Sequence, residues 1–249
     1  MVELSPPCPS GEPEARGTMT TPTTPVPPAR DSEERGVRLV PVLLILTVVS
    51  GLVDAVSYLG LGHVFTANMT GNVVILGLAS AGAPGFSIRH AATSLACFLP
   101  GAVVGGRLSA RLRGGSHRTW ARLSLAAEAV LIGAASAVAF AWPHAGAAQY
   151  ALIALMAFAM GLRNATVRQL GVADVTTTVL TTTLTHLAAE SRLGGGTDRR
   201  FPRRAGAVVA MFAGACLGAW LVLHHGLGIP LVIAALAAGA LAVAASGRE

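Results

Sequence analysis

The sequence predicts an all-α protein of the lipid bilayer: six transmembrane helices and two re-entrant or broken helices, arranged as a 3+3 inverted repeat. Three observations carry this. Of the 249 residues, 53% are hydrophobic and only 12% are charged, against about 25% charged in an ordinary soluble domain; the mean hydropathy is +0.61. Apolar runs recur at about 39–61, 90–108, 121–141, 147–165, 205–224 and 229–246, each near the ~20 residues that a helix needs to cross hydrocarbon. The arginines gather in loops between these runs, the bias that cytoplasmic loops of membrane proteins carry.

Residues 1–36 are rich in Pro, Thr, Ser and Glu, as in TPTTPVPPARDSEER, and hold no apolar run. They read as a disordered tail ahead of one transmembrane domain, 37–249, with pseudo-repeats at about 37–141 and 147–246. The tail lacks the apolar stretch of roughly 7–15 residues that a signal peptide uses, so the first span is expected to direct insertion.

Two further segments are shorter and more polar than the spans. The first, about 66–81, carries Asn68, Thr70 and Asn72; the second, about 175–189, carries Thr176, Thr177, Thr178, Thr181, Thr182, Thr183 and Thr185. Arginine placement indicates that neither crosses. The loops holding Arg107, Arg111, Arg113, Arg118 and Arg122, and holding Arg192, Arg199, Arg200, Arg203 and Arg204, share the cytoplasmic face only if the threonine segment turns back. Counting from Arg35 and Arg38 to the first of these loops gives the same answer for the asparagine segment, with Arg89 the one exception. The expected topology is an inner-membrane protein with both termini cytoplasmic. Irregular backbone at such depth is tolerated only where protein or water lines it.

That topology implies an inverted repeat, and the sequence contains traces of one. Gly51-Leu52-Val53-Asp54-Ala55 aligns with Gly161-Leu162-Arg163-Asn164-Ala165, and Thr66 and Thr70 follow onto Thr177 and Thr181 with one residue of slippage. Gly101 to Gly105 matches Gly214 to Gly218, each a GxxxG that lets two helices approach closely.

The string GLVDAVSYLGLGHVFTANMTGNVVILGLA, and in the second half MGLRNATVRQLGVADVTTTVLTTTLTHLA, resembles the signature of the YoaK-type family of small bacterial membrane proteins, which has no assigned function. The resemblance runs from about Val37 to Ala245. One departure is Thr182, where the family pattern leads us to expect glycine. The resemblance implies a general shape and no substrate.

Asp54 lies about fifteen residues into the first span, roughly 22 Å along a helix axis. An ionised carboxylate there costs on the order of 2.5–3.5 kcal/mol unless paired or facing water. It could bind a coupling cation, relay a proton, or brace the helix by accepting hydrogen bonds from Asn68, Thr70 or Asn72. Glu128 is a second submerged acid, and Arg163 is the basic candidate to neutralise either. Half-helix termini direct partial charge at substrates in many transporters, so the expected ligand or ion pathway comprises Asp54, Asn68, Thr70, Asn72, Asn164, Thr177 and Thr181.

Other chemistries find little footing. Cys8, Cys97 and Cys216 lack metal-ligand spacing. His186 and Glu190 have helical spacing but read better as an interfacial pair; neither a dinucleotide fingerprint nor a phosphate loop is present. No cofactor, metal or catalytic residue is expected, and the net charge of +6 reflects loop bias rather than nucleic-acid binding. The partners expected are the bilayer and a small-molecule or ion substrate. Two functions remain open, a small-solute transporter or channel and a non-transporting scaffold or regulator.

Overall fold

The computed structural model describes residues 29–111, 117–143, 145–169, 180–190 and 201–244. These form eight helices, with no strand among the described residues: α1 (Ala29–Gly60), α2 (Met69–Ser80), α3 (Ile88–Arg111), α4 (His117–Ala141), α5 (Gly146–Gln169), α6 (Leu180–Ala189), α7 (Phe201–His225) and α8 (Gly228–Ala244). Five are long and apolar enough to cross a membrane: α1 over Pro41–Gly60, α3, α4 over Thr119–Ala141, α5 and α7. The sixth expected span, 229–246, is α8, whose 17 residues extend about 26 Å at 1.5 Å per residue, slightly less than a ~30 Å hydrocarbon core. Helix α1 begins at Ala29, ahead of the boundary expected at 37, because DSEERGVR is composed largely of residues compatible with helix.

Contacts at one end of the bundle fix the direction of the six longer helices. A Cβ on Gly60, at the end of α1, would strike Leu227. Nδ1 of His63, just beyond α1, lies 3.1 Å from the carbonyl oxygen of Gly85, just before α3. The His90 and Tyr150 rings, near the starts of α3 and α5, sit 5.0 Å apart, and Ser136, late in α4, donates to the carbonyl of Gly228 at 3.0 Å. Helices α1, α4 and α7 therefore end at this Gly60 end, and α3, α5 and α8 start there. The segment containing α2 returns the chain to the end it left.

Glycines set the closest approaches, α3 alongside α5 and α1 alongside α7. A Cβ on Gly101 would collide with the Phe158 carbonyl, and one on Gly214 with that of Val48. Gly161 is as tight against Phe98 and Ala102, and Gly51 against Met211 and Ala215, while Gly105 against Leu162 and Ala165 and Gly218 against Leu52 and Ala55 are slightly looser. Each contact in one pair has its counterpart in the other at a constant shift along each helix. Between α4 and α8 the same exchange converts Gly133 against Ala235 into Gly239 against Ala129.

Burial follows the same pairing. The spans of α1 and α5 are each 61% buried and those of α3 and α7 each 22%, which makes α1 and α5 the central helices. Their Val49, Leu52, Val53, Val56, Ile153, Met156 and Met160 pack with Ile132 of α4 and Leu231 of α8 in one apolar core. Val130, Phe212, Leu223, Leu236 and Val243 are exposed, apolar surface that suits lipid rather than water.

Because the glycines meet backbone rather than flexible side-chain ends, Gly161→Leu and Gly51→Leu are each expected to destabilise by about 1–3 kcal/mol or more. Gly106→Ala has open space and should be neutral or stabilise by up to about 1 kcal/mol. Thermal unfolding in detergent of the three variants measures this ranking.

Candidate functional site

Beyond Gly60 the chain turns through two left-handed residues, Gly62 at φ 82° and His63 at φ 59°, and residues 64–68 descend beside α1. Non-helical backbone at this level cannot use water or its own helix as partner, so side chains take over. Oδ1 of Asp54 accepts the Ala67 N–H at 3.0 Å, and its carboxylate also faces the amides of Thr66 and Asn68. Asn72 clamps Phe65: its Oδ1 accepts the Phe65 N–H at 2.9 Å, and its Nδ2 donates to the Phe65 carbonyl at 2.6 Å and to Ser94 Oγ at 2.9 Å. Ser94 Oγ donates in turn to the Phe65 carbonyl at 2.7 Å. Asn68 caps α2, its Oδ1 accepting the Gly71 N–H at 3.3 Å.

Ala67 therefore lies at the level of Asp54, six residues or roughly 9 Å below the end of α1. From there α2 runs its 12 residues back toward the end where α3 begins. Above the loop, the Tyr58 ring stacks on Phe65 at 5.0 Å and meets His63 at 5.1 Å, and His63 meets Phe86 at 6.0 Å.

The second polar group lies in the centre. Arg163 of α5 is 2% exposed and Glu128 of α4 is fully buried. Nη1 of Arg163 donates to Glu128 Oε1 at 3.0 Å; Nη2 donates to Ser50 Oγ at 2.6 Å and to the Leu46 carbonyl. One guanidinium thus ties α5 to α4 and to α1. Ser124 Oγ and Thr166 Oγ1 continue the polar column at 2.6 Å. Of the two acids that Arg163 was expected to neutralise, it bonds Glu128.

The remaining expected pathway residues are placed as follows. Thr70 is exposed on α2, which packs on α3; Asn164 is half-buried on α5 toward the end away from Gly60; Thr181 is exposed on α6, which packs on α7. Thr177 lies outside the described residues. Ser50 and Ser94 were missed by the sequence reading. Ser50 could have been found, since it is one helical turn before Asp54; Ser94, 29 positions from its partner Phe65, carried no local signal.

At the end away from Gly60, Glu190 is bonded on both oxygens, to His186 Nδ1 at 2.7 Å and to Arg204 Nη1 at 2.6 Å. The helical His186–Glu190 spacing thus forms a hydrogen-bonded pair. The Arg204 guanidinium first, and then the His186 ring, hold the Glu190 carboxyl below its ordinary value of 4.5. An outward, largely apolar groove between α4 and α8 is lined by Val130, Gly133, Ser136, Phe140, Val232 and Leu236.

The family described as "Protein of unknown function (DUF1275)" matches residues 42–244. The chain belongs to the DUF1275 family. This DUF1275 protein is also 34% identical over 145 residues, 58% of its length, to the UPF0700 transmembrane protein YoaK of Bacillus subtilis (strain 168). It covers 64% of that relative. No solved structure matches it. The chain is thus a membrane protein of an uncharacterised family, and the apolar helices agree with that relative's transmembrane description.

Breaking a buried ion pair from one side leaves a bare charge, at about 3–5 kcal/mol, whereas replacing both partners by apolar groups is often neutral. Arg163→Met alone should therefore lower stability by about that amount, and Arg163→Met with Glu128→Leu should recover most of it, as chemical unfolding would record. The Glu190 tie behaves differently. A carboxylate with a lowered value stabilises above its ordinary titration and loses the contribution as pH falls through the lowered one. The protection of the α6 amides against hydrogen exchange, taken relative to the intrinsic rate at each pH, should accordingly fall below about pH 4.5, and Glu190→Gln should abolish that pH response.

Proposed function

We propose that this chain is a non-enzymatic small-solute transporter or channel of the bacterial inner membrane, built from two inverted halves, α1–α4 and α5–α8. The observation that carries the reading is the descent of residues 64–68 to the level of Asp54, with α2 rising from there. A helix N-terminus at the depth of a buried carboxylate, here with Asn68 and Thr70 exposed at the start of α2, is akin to the broken helices from which transporters build sites. The exchange of glycine contacts between α1/α7 and α5/α3 supports the inverted repeat, and the alternating directions of α1, α3, α4, α5, α7 and α8 support six crossings, with α8 at the short limit. Arg111, Arg122, Arg168, Arg203 and Arg204 lie toward the end away from Gly60, and Arg89 near the Gly60 end, which supports cytoplasmic termini.

In this reading the pathway draws on Asp54, Asn68 and Thr70 from one half and on Asn164, Thr177 and Thr181 from the other, and one half rocks against the other. A second reading, a non-transporting scaffold, is favoured by Asn72, whose amide is saturated by Phe65 and Ser94. Flux of a panel of ions and small neutral solutes into proteoliposomes separates the two. Transport predicts a solute whose flux falls at least tenfold in Asp54→Asn while the melting temperature holds; no flux for any solute, with Asp54→Asn merely less stable, supports the scaffold.

A further inference from the structure

Among the described residues the middle of the bundle holds two acids and one base, the other buried base, Arg204, lying in the first turn of α7 on Glu190. Asp54 is 6% exposed, Glu128 fully buried and Arg163 2% exposed, so with both acids ionised the interior carries one surplus negative charge that an apolar bundle cannot screen. We propose that this surplus is balanced by a single exchangeable proton shared between Asp54 and Glu128, with Arg163 pairing whichever acid lacks it. The inference deepens the transport reading above, on which it rests, by naming the coupling ion.

The geometry provides each part. Arg163 bonds Glu128 and, through Nη2, Ser50, which is one helical turn from Asp54 on the same face of α1. A shift of the guanidinium by that turn exchanges one carboxylate for the other. The exchange balances: Asp54 as the neutral acid with an Arg163–Glu128 pair becomes an Arg163–Asp54 pair with Glu128 as the neutral acid. One O–H bond breaks at Asp54, one forms at Glu128, and the interior stays neutral. Oε2 of Glu128 is buried with no hydrogen-bond partner among the described residues and is free to take the proton.

Other charges do not replace it. Arg163 is the charged side chain among the described residues that acts on either carboxylate. Helices α2 and α8 contain no charged residue. The charged groups and histidines of α3 (Arg89, His90, Arg107, Arg111) and α7 (Arg203, Arg204, His224, His225) lie toward the ends of those helices, as does Arg168 of α5, while His117, Arg118 and Arg122 lie in the first two turns of α4; the mid-helix thiols Cys97 and Cys216 can supply no positive charge.

A metal cation fits less well than a proton. A metal cation needs several oxygen ligands at once, whereas a proton needs one, and Oδ1 of Asp54 is taken by the Ala67 amide and Oε1 of Glu128 by the guanidinium. The site is also single. The exchange of glycine contacts that relates the two halves puts Val53 at the place of Arg163, Ala234 at that of Glu128 and Met160 at that of Ser50, so the other half has no such column.

Infrared difference spectroscopy of the full chain in sodium-free liposomes, between acid and alkaline pH, reads the proton directly as a carboxylic C=O band. The wild type should show one such buried band, absent in Asp54→Asn. In Glu128→Gln, Arg163 is released to Asp54, so the band should titrate at least tenfold lower in proton affinity. If Asp54→Asn does not fold, Asp54→Glu decides, since a displaced band supports the proposal and an unmoved one overturns it. A band insensitive to pH, one that persists in folded Asp54→Asn, or one removed by sodium at fixed pH overturns the proposal. A titrating Asp54 band without solute flux leaves the proton site standing and sinks the transport reading alone.

Discussion

Backbone taken out of a helix inside an apolar bundle must find a partner for its N–H and C=O groups, because neither water nor lipid supplies one at no cost. That constraint organises the first half of this protein. The chain leaves α1 after Gly60, drops to the level of Asp54 and starts α2 there. Asp54 takes up amides around Ala67, Asn72 takes both backbone groups of Phe65, and Ser94 ties the clamp to α3. The polar residues that make this stretch unusual in a hydrophobic chain are thus first of all replacements for lost backbone hydrogen bonds. Any ligand chemistry at Asp54 is built upon that duty.

The second organising feature is the pairing of helices through glycine. Six glycines, Gly51, Gly101, Gly105, Gly161, Gly214 and Gly218, press against backbone of a facing helix, and their contacts interchange between the two halves. Upon this near-symmetric frame lies an asymmetric polar interior. Arg163, Glu128 and Ser50 have apolar counterparts, and the counterpart of Asp54 is the non-ionisable Asn164. A frame that is close to symmetric can offer two similar arrangements, while a one-sided charge set gives them different electrostatic energies. That combination is compatible with the rocking of one half against the other proposed above.

Much of this was legible in the sequence, for definable reasons. Span positions follow from hydropathy, and the GxxxG of Gly101–Gly105 and of Gly214–Gly218 marked faces that pack closely, while Gly51 and Gly161 were read only as repeat equivalents. Arg163 and Glu128 could be paired because charge is scarce within the spans and must be matched. A brace at Asp54 was one alternative among three, with Asn68, Thr70 or Asn72 as its expected donors, whereas the donors are backbone amides around Ala67. What stayed hidden depends on tertiary contact. Ser94 looks like any serine in a helix until Phe65 is beside it, Asn72 reads equally as ligand or clamp, and the turn at Gly62 and His63 leaves no hydropathy trace. The start of α1 at Ala29 was masked by a polar composition that suits a helix extending beyond lipid as well as it suits a tail.

Immersion depth along α2 tests the central claim most directly. Spin labels placed singly at Asn68, Leu76 and Ser80, in protein reconstituted in a bilayer, report depth through their collisions with oxygen and with a water-soluble nickel chelate. The account predicts that position 68 is deepest and that depth decreases through 76 to a shallow value at 80, on the same face as a label at Gly85. A label at 80 lying deeper than one at 68, or on the opposite face from 85, would contradict it.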